Sequence, residues 1–159
     1  MVLDNNADEV EIVMPIGKFL AEKFDEIRQE IQQIKVFMKD KQLKVILESG
    51  IIQDLKKIKQ ASFLCLDAGA DFIKTSTGKN GPGASPEAVF VMCESIKEYY
   101  RRTGNVRGIK PAGGVSEVET ARVYYLIVKK LLGDEWLNPE RFRIGASRLA
   151  NNILGERYF

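Results

Sequence analysis

Five short apolar segments alternate with helix-like segments along this chain, and that alternation restricts its fold more than any other feature. The apolar segments are centred on Val10, Val45, Ile73, Ile109 and Ile144. They have the length and the aliphatic content of strands, whereas the segments between them repeat apolar residues at three- and four-residue steps. Strands that alternate with helices favour a parallel sheet with helical crossovers. The sequence therefore predicts an α/β fold built from βα units.

Turn and capping signals give the predicted boundaries. The strands are expected at 9–14, 43–48, the start of 71–79, 106–110 and 142–145, and the helices at 18–39, 52–68, 85–102, 116–132 and after 147. A turn is expected at 80–83. Glycine-rich stretches follow four of the strands, at 49–50, 77–79, 112–114 and 145–147. The carboxyl ends of parallel strands meet at one edge of the sheet, where such folds carry their chemistry.

Composition and charge narrow the classes of protein. With 159 residues, 45% of them hydrophobic and 29% charged, the chain is expected to form one domain with a real core. A net charge of +2 with scattered basic residues argues against nucleic acid as a partner. There is no apolar run of membrane-spanning length, and residues 1–5 lack a signal-peptide pattern. We therefore expect a soluble cytoplasmic protein with no membrane partner.

Two residue types limit the possible chemistry. The chain has no histidine, which excludes a Ser-His-Asp triad and a histidine-ligated metal. Its two cysteines, Cys65 and Cys93, lie in apolar helical patterns and are expected to be reduced core residues rather than a disulfide or a nucleophile. Acid, base and nucleophile must then come from Lys, Asp, Glu, Tyr, Ser or water.

The stretch Asp71–Lys79 places a lysine inside a predicted strand. Alternation puts Ile73 on one face and Lys74 on the other. If Ile73 packs against covering helices, Lys74 points into the opposite, enclosed space. An amine there loses hydration, which disfavours its charged form and makes it a better nucleophile. The alternative is an ordinary edge-strand lysine that reaches solvent.

Lys110, on the next predicted strand, makes the first interpretation the better one. Adjacent parallel strands lie about 4.8 Å apart, so two inward lysines near the same edge would interact. Glu11 alternates with apolar residues on the first strand and could move protons or form a salt bridge with either lysine. Lys44 and Glu48 fall on the equivalent face of their strand and could belong to the same network, although we favour a structural role.

The glycine-rich turns suit a phosphate group. Glycines expose backbone N–H groups, and a serine at a helix start adds a hydroxyl. The candidate phosphate-binding residues are Gly78, Lys79, Gly113, Gly114 and Ser147. Each residue taken alone is more often simple turn chemistry.

Several of these stretches together resemble the deoxyribose-phosphate aldolase family. They are Asp71–Lys79, Lys110–Gly114, Phe142–Ser147, Leu43–Glu48 and Ala7–Val13. The resemblance runs in order from about residue 3 to the end of the chain. It implies a TIM (β/α) barrel, of which residues 1–159 would form a single incomplete domain holding strands four to eight, because a full barrel takes about 250 residues.

The resemblance also implies an activity. The family consists of class I aldolases that cleave 2-deoxyribose 5-phosphate to glyceraldehyde 3-phosphate and acetaldehyde in deoxyribonucleotide catabolism. Lys74 matches the Schiff-base lysine and Lys110 the lysine that tunes it, while Lys79, Gly113, Gly114 and Ser147 match positions around the substrate phosphate. The covalent imine implies that no metal or organic cofactor is needed. The expected ligands are a phosphorylated deoxy sugar and small aldehydes.

One position departs from the family, and the short chain leaves two hypotheses open. The family has an aspartate where this chain has Glu11, one methylene longer, and a misplacement of about 1 Å can cost about a hundredfold in rate. The first hypothesis is an aldolase whose open barrel side is covered by another copy in a homo-oligomer, by another chain or by a segment upstream of residue 1. The second is a non-catalytic or weakly active barrel remnant, since an open parallel sheet leaves unpaired edges.

Overall fold

The computed structural model describes residues 7–79 and 81–155. Residues 1–6 and 156–159 lie outside the described residues, as does Asn80 of the predicted turn at 80–83. The strands are β1 (Glu9–Val13), β2 (Gln42–Ile46), β3 (Phe72–Lys74) and β4 (Gly108–Lys110). The helices are α1 (Ile16–Leu20), α2 (Phe24–Met38), α3 (Ser49–Ile52), α4 (Leu55–Asp67), α5 (Pro86–Thr103), α6 (Val118–Leu132) and α7 (Leu149–Leu154), with a 3-10 turn at Asp134–Trp136.

The four strands form one parallel sheet in the order β1-β2-β3-β4. The predicted α/β fold with helical crossovers is therefore confirmed. The register places Ile46, Lys74 and Lys110 side by side on neighbouring strands. Side chains in register project to the same face of a sheet, so both lysines lie on one face.

The opposite face of the sheet carries the hydrophobic core. Val45, Ile73 and Ile109 are fully buried there. They belong to one cluster with apolar residues of the covering helices, such as Ile31 of α2 and Met92 of α5. Cys65 and Cys93 also lie free in this core, where burial raises the pKa of both thiols. The helices therefore cover the Ile73 face and leave the lysine face for other contacts.

The predicted fifth strand is wrong in extent. Phe142 and Gly145 each form an isolated parallel bridge, to Ile109 and Ala112 respectively, in place of a continuous strand at 142–145. Pro111 explains the interruption, since proline has no backbone N–H to donate to a ladder. The segment nevertheless runs beside β4, because the N–H of Gly145 donates to the carbonyl of Pro111 at 2.8 Å.

Two predicted helices differ from the helices of the structure. The helix predicted at 18–39 is interrupted between α1 and α2, where Glu22 has a φ of 58°. The helix predicted at 52–68 is α4 alone, and the short α3 precedes it. The carboxylate of Asp54 caps α4 by accepting from the backbone N–H groups of Lys56 and Lys57.

Within the described ranges, no helix is long and apolar enough to cross a membrane.

Candidate active site

Lys74 is the last residue of β3 and one of the few buried lysines of the chain. Its neighbour Ile73 is fully buried in the helix-covered core, whereas Lys74 itself is 8% exposed. The alternation of the strand therefore forces Lys74 onto the lysine face of the sheet. The alternative of a solvent-exposed edge lysine does not fit this placement, because β3 lies between β2 and β4.

One carboxylate joins the two lysines of this face. The Nζ of Lys74 donates to Oε2 of Glu11 at 2.7 Å, and the Nζ of Lys110 donates to Oε1 at 2.5 Å. Three strands thus contribute one side chain each, and Glu11 reaches both amines from β1. We call Glu11, Lys74 and Lys110 the lysine cluster.

The two lysines of the cluster lower the pKa of Glu11. Burial alone would raise the pKa of this carboxyl, but the hydrogen bonds from Lys110 and then Lys74 outweigh it, so the pKa lies below its ordinary value. Glu11 is therefore an anion at neutral pH, in hydrogen-bond contact with two potential proton donors. A carboxylate in this position can exchange a proton with either amine.

Thr75 ties the turn after β3 to the turn after β4. Its hydroxyl donates to the carbonyl of Ala112 and accepts from the N–H of the same residue, both at 2.8 Å. Gly113 follows with a φ of 89°, and a Cβ added there would lie 2.9 Å from the Cα of Gly83. Only glycine fits that close approach with a positive φ. The glycine turn is thus held next to Lys74.

A cavity of about 460 Å³ opens at this edge of the sheet, beside Lys74. The turns after β3 and β4 and the segment after the bridge at Gly145 form its walls. Its lining residues are Lys74, Thr77, Gly78, Ala112, Gly113, Gly114, Val115, Ser116, Gly145, Ala146, Ser147 and Arg148. The volume falls in the range of small-molecule pockets.

The cavity contains most of the residues that the sequence indicated for a phosphate, but not all of them. Gly78, Gly113, Gly114 and Ser147 line it, whereas Lys79 does not. The backbone N–H of Lys79 instead donates to the hydroxyl of Thr77 at 3.2 Å, and its side chain is exposed.

Arg148 was missed by the sequence reasoning and is a charged residue of the cavity wall. It directly follows Ser147 and precedes α7. The signal that could have found it is a basic residue immediately after a glycine-containing turn. Among the described lining residues, Lys74 and Arg148 are the ones with a positive charge.

A second ion cluster lies on the same face, farther from the cavity. Glu9, two residues before Glu11 on β1, accepts two hydrogen bonds of 2.6 Å from the guanidinium of Arg143 and a third from Lys44. Lys44 and Arg143 also lie over the ring of Phe72, 5.5 and 5.4 Å from its centroid. We call Glu9, Lys44 and Arg143 the arginine cluster.

The arginine cluster corrects one detail of the sequence interpretation and supports another. Lys44 pairs with Glu9 and Glu48 contacts the backbone of Thr77, so neither side chain hydrogen-bonds to the lysine cluster. The expected structural role of Lys44 agrees with its 2% exposure. Within the described residues, no group of three or more His, Cys, Asp or Glu side chains is placed to hold a metal ion.

Comparison with known proteins identifies what this chain is similar to. A family model described as "DeoC/LacD family aldolase" matches residues 1–125. A Caenorhabditis elegans protein named "Putative deoxyribose-phosphate aldolase" is 42% identical over 150 residues, covering 94% of this chain and 50% of that protein. The human deoxyribose-phosphate aldolase is 37% identical over 158 residues, covering 99% of this chain and 50% of that protein. The chain thus spans about half the length of the curated relatives it matches.

Solved structures give the same picture for the fold. A crystal structure of a "putative deoxyribose-phosphate aldolase" from Toxoplasma gondii ME49 superposes on this chain with a TM-score of 0.85 at 27% identity. The match covers 96% of this chain and 61% of that chain. The parallel sheet and its covering helices therefore correspond to part of a larger known fold.

Proposed function

Since this chain belongs to the DeoC/LacD family of aldolases, we propose that it is a Schiff-base aldolase whose nucleophile is Lys74. The proposed reaction is cleavage of 2-deoxyribose 5-phosphate to glyceraldehyde 3-phosphate and acetaldehyde, within deoxyribonucleotide catabolism. The observation that carries the proposal is the lysine cluster. A buried strand lysine lines a substrate-sized cavity and hydrogen-bonds to a carboxylate that a second lysine also contacts.

The first step needs a nucleophilic amine and a group that moves protons. The neutral amine of Lys74 attacks the aldehyde carbon of the open-chain sugar and forms a carbinolamine. Protonation of the carbinolamine hydroxyl, with one proton taken up from solvent overall, then lets the aldehyde oxygen leave as water and gives the protonated imine. Glu11 is placed to accept the amine proton and to return it to the departing hydroxyl, because it already contacts the Nζ of Lys74.

The second step breaks the carbon–carbon bond. A base removes the proton of the C3 hydroxyl, the C2–C3 bond breaks, and its electron pair moves into the imine to form an enamine. Glyceraldehyde 3-phosphate leaves with the new aldehyde at the former C3. Protonation of the enamine and hydrolysis of the imine then release acetaldehyde and restore Lys74. Electrons balance without an external oxidant, and because the imine itself accepts the electron pair, we propose that the route uses no metal or organic cofactor.

The cavity wall supports a phosphorylated substrate. Gly78, Gly113 and Gly114 have positive φ angles of 79°, 89° and 72°, and glycines in such turns can direct backbone N–H groups toward an anion. Arg148 adds a guanidinium suited to bidentate phosphate contacts. We propose that the phosphate lies against these turns, with the aldehyde end at Lys74.

We also propose that the chain associates with further copies of itself, because the outer edge of β1 is unpaired in the described sheet.

Imine trapping tests the assignment of Lys74. Incubation with acetaldehyde and sodium borohydride should convert the imine to a stable ethylamine and add its mass to the tryptic peptide that carries Lys74. Lys44 provides a matched internal control, because it is also a buried lysine bound to a glutamate of β1. The expected result is a label on Lys74 and none on Lys44.

Variants test whether the label depends on Lys74 itself or on the general reactivity of lysine side chains. Lys74→Met should abolish the label, and Lys44→Met should retain it in the fraction that folds. Lys110→Leu removes one donor to Glu11 and should slow trapping if Lys110 tunes the site. Labelling spread over surface lysines, or equal labelling of Lys44 and Lys74, would refute the proposal.

A second candidate function follows from the position of Glu11. It lies on β1, the edge strand of the described sheet, where Val13 is 47% exposed. A chain with this edge open could form the imine without efficient cleavage, because bulk water weakens the charge interactions of the site. Acetaldehyde release from 2-deoxyribose 5-phosphate, with Lys74→Ala as background, distinguishes the two. Trapping without release would favour an aldehyde-binding chain of low activity.

A further inference from the structure

Glu48 is a buried acid that neither ion cluster uses. It follows β2 at the cavity edge of the sheet and is 2% exposed. Burying a carboxylate is costly unless its oxygens are paired. Its position therefore calls for an explanation beyond packing.

The two carboxylate oxygens of Glu48 differ in their hydrogen bonding. One carboxylate oxygen, Oε1, accepts from the backbone N–H of Thr77 at 3.0 Å. The other, Oε2, is buried and has no hydrogen-bond partner among the described residues. A fully paired structural carboxylate would resemble Glu9, which accepts three hydrogen bonds. The retained contact of Glu48 is thus specifically to the turn after β3.

The backbone at Glu48 is also strained. Its φ of 54° and ψ of 53° lie in the left-handed region, which is unfavourable for a residue with a long side chain. Such strain persists only where surrounding contacts over-determine the conformation, and it is frequent at functional sites. Here the strained conformation coincides with a carboxylate directed at Thr77.

The turn that Glu48 holds forms one wall of the cavity. Thr77 and Gly78 both line the cavity, next to Lys74. Thr75 ties the start of this segment to Ala112, but that contact lies two residues before Thr77. Beyond Thr75, the hydrogen bond that the N–H of Thr77 donates to Glu48 connects the turn to the segment after β2.

We propose that Glu48 is a positioning residue that binds the N–H of Thr77 and thereby fixes the Thr77–Gly78 turn, so that the backbone N–H of Gly78 can bind the phosphate of the substrate. It acts through Thr77 and does not contact the reacting atoms. The inference rests on the proposed function for the identity of the ligand. The structural part, the fixed turn, stands independently of it.

Three substitutions separate the hydrogen bond from the charge and the volume. Glu48→Gln keeps an acceptor oxygen at the same reach without the charge. Glu48→Leu removes the acceptor and keeps a similar volume, and Glu48→Asp keeps the charge but shortens the reach, so it replaces the leucine variant if that one does not fold. Ser49→Ala is the matched control, because Ser49 is buried beside Glu48 and its hydroxyl has no described partner.

Amide hydrogen exchange tests whether Glu48 fixes the turn at Thr77 and Gly78. Because one hydrogen bond is worth up to about tenfold in a local equilibrium, Glu48→Leu and Glu48→Asp should speed exchange in the peptide containing Thr77 and Gly78 by about tenfold. Exchange in α5 and α6 should be unchanged. Glu48→Gln and Ser49→Ala should stay within about twofold of the parent chain. Unchanged exchange at the turn, or a uniform rise along the chain, would overturn the proposal.

Ligand protection measures the consequence for binding. Glycerol 3-phosphate, which has no aldehyde to react, should protect Lys74 from acetaldehyde trapping, and the half-protecting concentration should rise about tenfold in Glu48→Leu but less than about twofold in Glu48→Gln. Trapping without glycerol 3-phosphate should be similar in all variants. Equal protection in the leucine and parent chains would overturn the role in binding. Absence of trapping in the parent chain would instead refute the proposed function and leave the exchange result to decide the role of Glu48.

Discussion

Two carboxylates of the same strand, Glu9 and Glu11, show how similar ion clusters can serve different purposes. Each lies on the same face of β1 and bridges two cations. Glu9 is bound by a guanidinium and an amine, whereas Glu11 is bound by two amines. A guanidinium does not give up its proton in proteins, but an amine can. The partner of the carboxylate therefore decides whether the cluster can move protons.

The surroundings of the two clusters also differ: the arginine cluster is tightly packed, and the lysine cluster borders the cavity. Lys44 and Arg143 stack against Phe72, whose ring occupies the space beside Gly108, where an added Cβ would lie 2.3 Å from a ring atom. The lysine cluster instead includes Lys74, which lines the cavity. One end of the sheet face is filled and fixed, and the other opens to a ligand. The comparison predicts that substitutions in the two clusters will affect different measurements.

The largest expected effect is on the rate of imine formation. Glu11→Gln should slow borohydride-dependent trapping at Lys74 by about 10²–10⁴, the usual contribution of a proton-transfer group. Glu9→Gln, two residues away, should leave the rate per folded molecule within about threefold. Trapping kinetics at matched folded fractions measure both. Equal losses in the two variants would show that the clusters do not differ in function.

The next effect is on stability, and here the arginine cluster should dominate. Arg143→Met removes two hydrogen bonds from a partly buried carboxylate and should lower the free energy of unfolding by about 1–3 kcal/mol. Lys110→Met, which removes one contact from Glu11, should cost less. Urea unfolding of both variants gives the comparison. A larger loss for Lys110→Met would contradict the division between a fixed and an open end.

A smaller effect distinguishes the two candidate cations of the phosphate site. Arg148→Ala should raise the half-protecting concentration of glycerol 3-phosphate about tenfold, the scale of one charge-assisted contact. Lys79→Ala should raise it by less than about threefold, because Lys79 does not line the cavity. If Lys79→Ala has the larger effect, then the turn rearranges on binding and Lys79 moves to the anion.

The smallest expected effect is the pH dependence of stability. The hydrogen bonds from Arg143 lower the pKa of Glu9 from 4.5 to about 2, against the opposing effect of burial. A lowered pKa in the folded state stabilises the fold above the pKa of the unfolded chain, and this contribution disappears as pH falls from about 4.5 towards about 2. The difference in unfolding free energy between the parent chain and Glu9→Gln should therefore shrink over that range. A constant difference would mean that Glu9 stabilises the fold without its charge.

The comparison also shows where sequence reasoning succeeded and where it failed. Alternation within strands was enough to place Lys74, Lys110 and Glu11 on one face, because the helix-covered core fixes the register of each strand. The same rule did not separate Glu9 from Glu11, which alternate identically. Their difference depends on Arg143, a residue 134 positions away in the chain, and no local pattern predicts such a contact.

The remaining differences have local physical causes that a pattern does not show. The fifth strand became two bridges because Pro111 interrupts the hydrogen-bond ladder. The cavity wall includes Arg148 and omits Lys79, which lies exposed in the turn after β3. Turn residues carry weak direction signals in sequence, since side chains there follow no period.

By itself the sequence determined the parallel α/β fold, the family and most of the candidate residues. These depend on periodicity, on glycines at the ends of strands and on short motifs, all of which are local. The tertiary structure alone decided which cations share each carboxylate, which residues form the cavity wall and that Glu48 holds the turn at Thr77. Those features depend on contacts between distant segments, and burial makes their geometry specific because an unpaired polar group in a core is costly.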